Sequence, residues 1–185
     1  MNPIQLIDLT LDVDRAAIAL QKSIRWNSYQ LRTNAETSPH RQAEDIWLRY
    51  GSLDDEAVKT DQPFKSEWYP YPELVAVCKP LVETVYKAVN GIELGGVLIT
   101  KIPAGKQVYP HTDKGWHASN YSKYCVCIKA NIEQSFCFKG SSLWTQSGQV
   151  FFFDNSYQHW VLNPSTEDRI SLICCIKTVR GIHQP

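Results

Sequence analysis

No stretch of this sequence stays apolar for the ~20 residues that a bilayer-crossing helix needs, so no membrane-spanning helix is expected. The opening residues, Met1 to Gln5, lack the charged and apolar regions of a signal peptide, so no secretory leader is expected either. There is no excess of either charge: Lys+Arg is 19, Asp+Glu is 19, and the formal net charge is zero. Nonspecific nucleic-acid binders usually carry a basic excess, so nucleic acid is not the expected partner. No pair among Cys78, Cys125, Cys127, Cys137, Cys174 and Cys175 has the C-x-x-C spacing of a zinc ribbon or a redox motif. Most of these residues sit in apolar or aromatic stretches, which fits buried reduced thiols and a cytoplasmic setting. No repeat and no linker rich in Gly, Ser or Pro divides the 185 residues, a length that suits one domain over 1–185.

What the sequence does have is aromatic residues, with six Trp and nine Tyr, in an otherwise ordinary composition of 43% hydrophobic and 21% charged residues. Its periodicity changes near residue 91. Before that point a 3.6-residue apolar period predicts helices over about 12–24 and 72–89. Asp12 or Asp14 is placed to cap the first, and Asn90-Gly91 to stop the second. Pro80 is expected to kink or split the second helix. A short strand is predicted over Ile46–Tyr50 and a loop over Lys65–Pro70. Residues 1–91 thus read as mostly helical support and substrate-side segments, and 92–180 as the core. Strands are predicted there over 94–101, 106–111, 123–131, 134–139, 142–145, 149–154, 159–163 and 169–178. Short strands at this spacing predict a mainly β sandwich or jelly roll with supporting helices on one outer face.

Three polar features stand out in the β region. In His111-Thr112-Asp113 the His and the Asp lie two residues apart, so on an extended segment they project to one side and can share a metal ion. His159 follows on another strand. Arg169-Ile170-Ser171 lies on the last long strand, with Arg169 and Ser171 on one face. Two His and one carboxylate form the facial triad of non-haem Fe(II) oxygenases, which leaves positions open for a cosubstrate and O₂. A guanidinium fork suits a carboxylate in a buried site, and a hydroxyl adds a donor. A carboxylate held there, with its other end chelating the metal, describes 2-oxoglutarate. The competing structural reading has His111 capping a turn, His159 filling a core gap and Arg169 pairing with Asp168 or Glu167.

This motif set resembles the Fe(II)/2-oxoglutarate dioxygenases. The surroundings are most similar to the aspartyl/asparaginyl β-hydroxylase family, through Leu98 to Gly105, Tyr109-Pro110-His111-Thr112-Asp113, Gly148 to Ser156, Val161 to Ser165 and Asp168 to Ile173. The resemblance covers about residues 94–178. It implies a double-stranded β-helix, a cupin-like jelly roll. It also implies Fe(II) on His111, Asp113 and His159, and 2-oxoglutarate on Arg169 and Ser171. The implied reaction uses O₂, hydroxylates a C–H bond and releases succinate and CO₂. Some relatives hold 2-oxoglutarate with an Arg on the strand after the first ligand; that Arg is absent here, and Lys123 and Tyr124 are the candidates to replace it.

Tyr109 alternates with His111 and Asp113 and is expected to face the same cavity, as a donor to 2-oxoglutarate or as a core residue. Trp116 and Tyr121, in the loop after the HxD segment, are candidates for substrate contact, as are Lys123 and Tyr124. His117 belongs to that loop and is not a preferred ligand; His40 and His183 are given no role. The substrate implied by the resemblance is an Asp- or Asn-like side chain, peptidyl or free, or a small metabolite. Two other readings stay open. One is a cupin-like metalloenzyme, a hydrolase or isomerase; the other is a non-catalytic jelly-roll binding module.

Overall fold

The computed structural model describes residues 3–52 and 54–179. In chain order these form β1 (Ile4–Thr10), α1 (Asp14–Gln21), β2 (Glu44–Tyr50), α2 (Glu56–Lys59), β3 (Glu67–Trp68), α3 (Pro72–Ala88), β4 (Gly91–Ile102) and β5 (Gln107–His111). There follow α4 (Trp116–Asn120), β6 (Ser122–Lys129), β7 (Ser135–Phe138), β8 (Ser141–Trp144), β9 (Gln149–Phe153), β10 (His159–Leu162) and β11 (Arg169–Thr178). The strands build a seven-stranded sheet, β1-β9-β6-β11-β4-β2-β3, and a four-stranded sheet, β5-β10-β7-β8. Every pairing is antiparallel. This is the mainly β jelly roll with supporting helices.

Period-2 alternation explains how the large sheet is buried on both faces. Phe152, Tyr124, Leu172 and Cys174 point outward, into a core shared with Leu20 of α1 and with Leu74, Cys78, Val82 and Val85 of α3. Phe151, Phe153, Cys125 and Cys127 point inward, against Val108, Phe136, Phe138 and Val161 of the small sheet. Cys174 and Cys175 take opposite faces, and all six thiols are buried and unpaired. No helix among the described residues is long and apolar enough to cross a membrane.

The first 91 residues differ from the expectation of helical support. β1 pairs with β9 at one end of the large sheet, and β2 pairs with β4 near the other. Local periodicity cannot reveal such pairings, because β1 joins residues some 145 positions away in sequence, such as Ile4 with Phe153. Between Lys65 and Pro70, Glu67 and Trp68 form a two-residue strand rather than plain loop. α3 runs unbroken through Pro80, which lies on the exposed side where water can reach the carbonyl left without an N–H partner. The Asp12 carboxylate accepts the Asp14 N–H at the start of α1 (3.1 Å), and Asn90 ends the region after α3 with a left-handed φ of 52°.

Gly148 anchors the β1 end of the sheet. Its carbonyl accepts the Leu11 N–H (2.9 Å), and its own N–H donates to Cys127 (2.7 Å). Its φ is +85°, and a Cβ there would stand 2.6 Å from the Leu11 carbonyl oxygen. Gly148→Ala is expected to cost about 1–3 kcal/mol of stability. The check is a lower urea midpoint at unchanged slope; an unmoved midpoint would contradict the assignment.

Candidate active site

The two sheets enclose a cavity of about 370 Å³, within the range of small-molecule sites. It is lined by His111, Asp113, His159, Arg169, Ser171 and Lys123, and also by His40, Arg32, Thr100, His117 and Cys175. β5 and β10 bring His111 opposite His159, with ring centroids 4.4 Å apart. The Nδ1 of His111 lies 2.8 Å from the Tyr109 carbonyl, and that of His159 lies 2.9 Å from the Tyr157 carbonyl. A carbonyl only accepts, so each Nδ1 carries the proton, and in the neutral ring each Nε2 keeps its lone pair. Backbone carbonyls orient metal-ligating histidines in this way.

The His111 Nε2 is buried with no hydrogen-bond partner among the described residues, and it faces the Asp113 Oδ1 at 3.4 Å. Two acceptors this close repel each other unless a positive charge lies between them. Burial works to raise the Asp113 carboxyl, but the neighbouring His111 ring and the Lys123 charge outweigh it, so the group stays well below the usual carboxylate range. Burial pushes the His159 imidazole down to about 4, so it is neutral at ordinary pH. Among the described residues, one trio of possible ligands lies within 4.8 Å of one another: His40, His111 and Asp113. His159 is outside that trio, although its ring contacts His111.

Arg169 is 1% exposed, and it pairs with neither Asp168 nor Glu167. Asp168 accepts the Ala104 N–H, and Glu167 pairs with Lys129. The Nη2 of Arg169 donates to the Thr145 Oγ1 at 3.3 Å, with the Cys127 Sγ at 3.9 Å, while its Nη1 is buried without a partner among the described residues. A carboxylate fits an unfilled guanidinium fork of this kind. Ser171 lines the same cavity two residues further along β11.

Some expected neighbours are elsewhere. Tyr109 does not line the cavity. Between its pairs His159–His111 and Val161–Val108, β10 advances two residues while β5 advances three. The extra residue is a bulge at Tyr109-Pro110, which puts Val108 and His111 on the same face and turns Tyr109 outward. The Tyr109 ring lies under the Arg41 guanidinium, 3.5 Å from its centroid. Tyr124 faces the outer core, because alternation gives the cavity to Lys123 and Cys125 instead. Trp116 and Tyr121 support the rim rather than line it. The Trp116 N–H donates to Asp61 (2.9 Å), and the Tyr121 hydroxyl donates to Glu93 (2.6 Å). Lys123 does line the cavity, with its Nζ 3.2 Å from the Cys175 Sγ.

Three lining residues carried no sequence signal: Arg32, His40 and His117. Arg32 and His40 lie in an irregular segment, where spacing places nothing. Arg32 forks onto Asp45 (2.6 and 3.1 Å) and donates to Thr100 (2.6 Å). His117, in the loop that was set aside, is 7% exposed and accepts the Gly96 N–H at 3.0 Å. His183 lies outside the described residues.

The aspartyl/asparaginyl β-hydroxylase family model matches residues 13–178. The chain belongs to that family. No curated protein sequence matches it. A 2OG-Fe(II) oxygenase family oxidoreductase from Burkholderia pseudomallei aligns with a TM-score of 0.54 at 10% identity, over 77% of this chain and 71% of that one. The viral collagen prolyl hydroxylase of Paramecium Bursaria Chlorella virus-1, in its 2OG complex, gives 0.52 at 12% identity over 96% and 97%. A prolyl hydroxylase from Trichoplax adhaerens, in complex with a hypoxia inducible factor peptide fragment, gives 0.58 at 12% identity over 95% and 84%. At such identities the structural likeness establishes the fold, and family membership establishes the class. Members of the aspartyl/asparaginyl β-hydroxylase family are Fe(II)- and 2-oxoglutarate-dependent hydroxylases that use O₂, and this chain is an enzyme of that class.

Proposed function

We propose that His111, Asp113 and His159 hold Fe(II), that Arg169 and Ser171 hold the C5 carboxylate of 2-oxoglutarate, and that the enzyme hydroxylates a C–H bond of an Asp- or Asn-like side chain, peptidyl or free, or of a small metabolite, releasing succinate and CO₂. One observation carries the cosubstrate reading: buried Arg169, whose Nη1 has no partner among the described residues, lines the same cavity as His111 and Asp113. The bound iron and cosubstrate supply the O₂ activation and the C–H oxidation. The chain's own residues bind, orient and exclude water. The carbonyls of Tyr109 and Tyr157 fix both imidazoles, the N–H of Asp113 donates to the Asn155 carbonyl (3.1 Å), and Thr145 steadies the Arg169 fork. Apolar walls such as Phe136, Phe153 and Val161 keep the centre dry.

Lys123 lines the cavity and its charge acts on Asp113 without an ion-pair contact, which supports a role toward an anionic substrate group. The neutral net charge supports an amino-acid or peptide substrate over nucleic acid. Six unpaired thiols support a cytoplasmic setting. The test is turnover of 2-oxoglutarate by the Fe(II)-loaded protein across panels of free amino acids and Asp- or Asn-containing peptides. Succinate is expected to form in step with a product heavier by one oxygen atom, and both are expected to stop when a chelator removes the metal. Succinate formation that is indifferent to chelation would overturn the proposal.

A further inference from the structure

Taking His111, Asp113 and His159 as the metal ligands proposed above, we infer that His40 is a fourth protein ligand in the cosubstrate-free enzyme, and that 2-oxoglutarate displaces it. His40 is in the irregular segment between α1 and β2, yet its backbone is pinned. The Pro39 carbonyl accepts the Tyr109 N–H (2.9 Å), the His40 N–H donates to the Ser38 Oγ (3.1 Å), and the His40 carbonyl accepts the Ala43 N–H (2.8 Å). The segment is therefore fastened to the bulge of β5, and the ring is delivered to the metal site from outside the two ligand strands. It meets the His111 ring edge-on, with centroids 4.5 Å apart at 78°.

The His40 ring is only 8% exposed and has one weak polar contact, Nε2 to the Arg32 Nη1 at 3.4 Å. Its Nδ1 is buried with no hydrogen-bond partner among the described residues; a ring that binds the ion through Nδ1 carries its proton on Nε2 and gives up the Arg32 contact, because a guanidinium only donates. Burying a polar ring nitrogen unpaired is unfavourable, and the cavity it lines offers one compensation: an ion shared with its neighbours. One ligand atom each from His40, His111 and Asp113 already lie within 4.8 Å of one another. Two ligands opposite each other on one ion stand ~4.2 Å apart, twice a bond of ~2.1 Å. Only one of the three pairs can be opposite, and neighbouring ligands stand ~3.0 Å apart, so the atoms draw in by about 1–2 Å to share one ion.

The number of ligand positions requires the displacement. A triad, a chelating cosubstrate and O₂ together fill a six-position site, so a fourth protein ligand must leave before O₂ can enter. With His40 bound two positions stay open, enough for 2-oxoglutarate to chelate and none then for O₂, so His40 leaves as the cosubstrate settles. Arg32, held independently by Asp45 and Thr100, is placed to take back the released ring.

The test is pulsed EPR on the full chain loaded with Cu(II), counting the imidazoles bound. Three are expected in the wild-type protein alone and two after 2-oxoglutarate is added; this readout needs neither activity nor a variant. Co(II) titration adds a second readout. His40→Ala is expected to weaken Co(II) binding at least ~10-fold, since loss of mere outer partners already costs that much. The difference is expected to vanish at saturating 2-oxoglutarate, whereas His159→Ala stays weak in both conditions. A wild-type count of two without cosubstrate, or of three that persists with it, would overturn the inference. So would Co(II) binding by His40→Ala equal to wild type while His159→Ala is weakened, and that result leaves the triad standing. If His159→Ala also binds Co(II) as tightly as wild type, the triad fails and the inference with it.

Discussion

Arg169→Met is expected to abolish useful 2-oxoglutarate binding while making the ligand-free protein more stable. Removing one partner of a buried charged pair costs about 2–5 kcal/mol. At ~1.4 kcal/mol per decade, that is a loss of roughly 30-fold to several thousand-fold in affinity. The opposite sign for the ligand-free protein follows from the same geometry. Without a carboxylate, the guanidinium is buried against one hydroxyl at 3.3 Å and one thiol at 3.9 Å, with Nη1 unsatisfied. Exchanging a poorly compensated buried charge for an apolar chain of similar volume stabilises by about 1–4 kcal/mol in favourable cases. Arg169→Lys is not expected to rescue binding, because an ammonium cannot present two parallel donors. Calorimetric titration with 2-oxoglutarate and urea unfolding without it check both halves. Near wild-type affinity, or a ligand-free variant weaker than wild type, would mean that Arg169 is structural.

The protein stripped of metal by a chelator is expected to lose stability steeply as pH falls from about 6.5 toward 4. His159, His117 and His40 are 4%, 7% and 8% exposed. Burial lowers all three, His159 to about 4 and His117 to about 2; Arg32 and His111 add to the effect at His40. The folded pKa of each is below the unfolded value of 6.5, so between them the unfolded chain binds protons that the folded chain refuses. Stability is therefore complete above about pH 6.5 and drains away below it. Three such protons give a slope of ~4 kcal/mol per pH unit at its steepest, against a total near 5–15 kcal/mol for an ordinary domain. The chemistry agrees at His117, whose Nε2 must stay unprotonated to accept the Gly96 N–H. Thermal melts across pH 7 to 5 check this; a flat melting temperature over that range would refute it. Asp113, held low in the fold, adds its own loss only below its ordinary pKa of 3.8.

Alternation placed most of the β region and the residues that depend on it. Arg169, Ser171 and Cys175 share a cavity face because β11 is regular there, and Lys123 rather than Tyr124 faces in because β6 keeps the period. Where the period breaks, the sequence misleads. Tyr109 matches the pattern and still points away, because a bulge inserts one residue before His111. Arg32 and His40 were illegible for another reason: irregular chain carries no face, and only the tertiary fold delivers them. β1 and β2 were hard to place because a strand's partner is a long-range fact.

The two sheets divide the centre between them. His111 and His159 belong to the small sheet, and Arg169 and Ser171 to the large one. On the proposed assignment each sheet would hold one end of the cosubstrate. A molecule that chelates the metal and reaches Arg169 therefore acts as a rivet through both layers. Its arrival should slow amide exchange in β10 and β11 together, whereas metal alone should protect β10 first. On the proposed ligand set, cosubstrate binding would add to the apolar packing that already holds the layers closed, and release of spent cosubstrate would withdraw that addition.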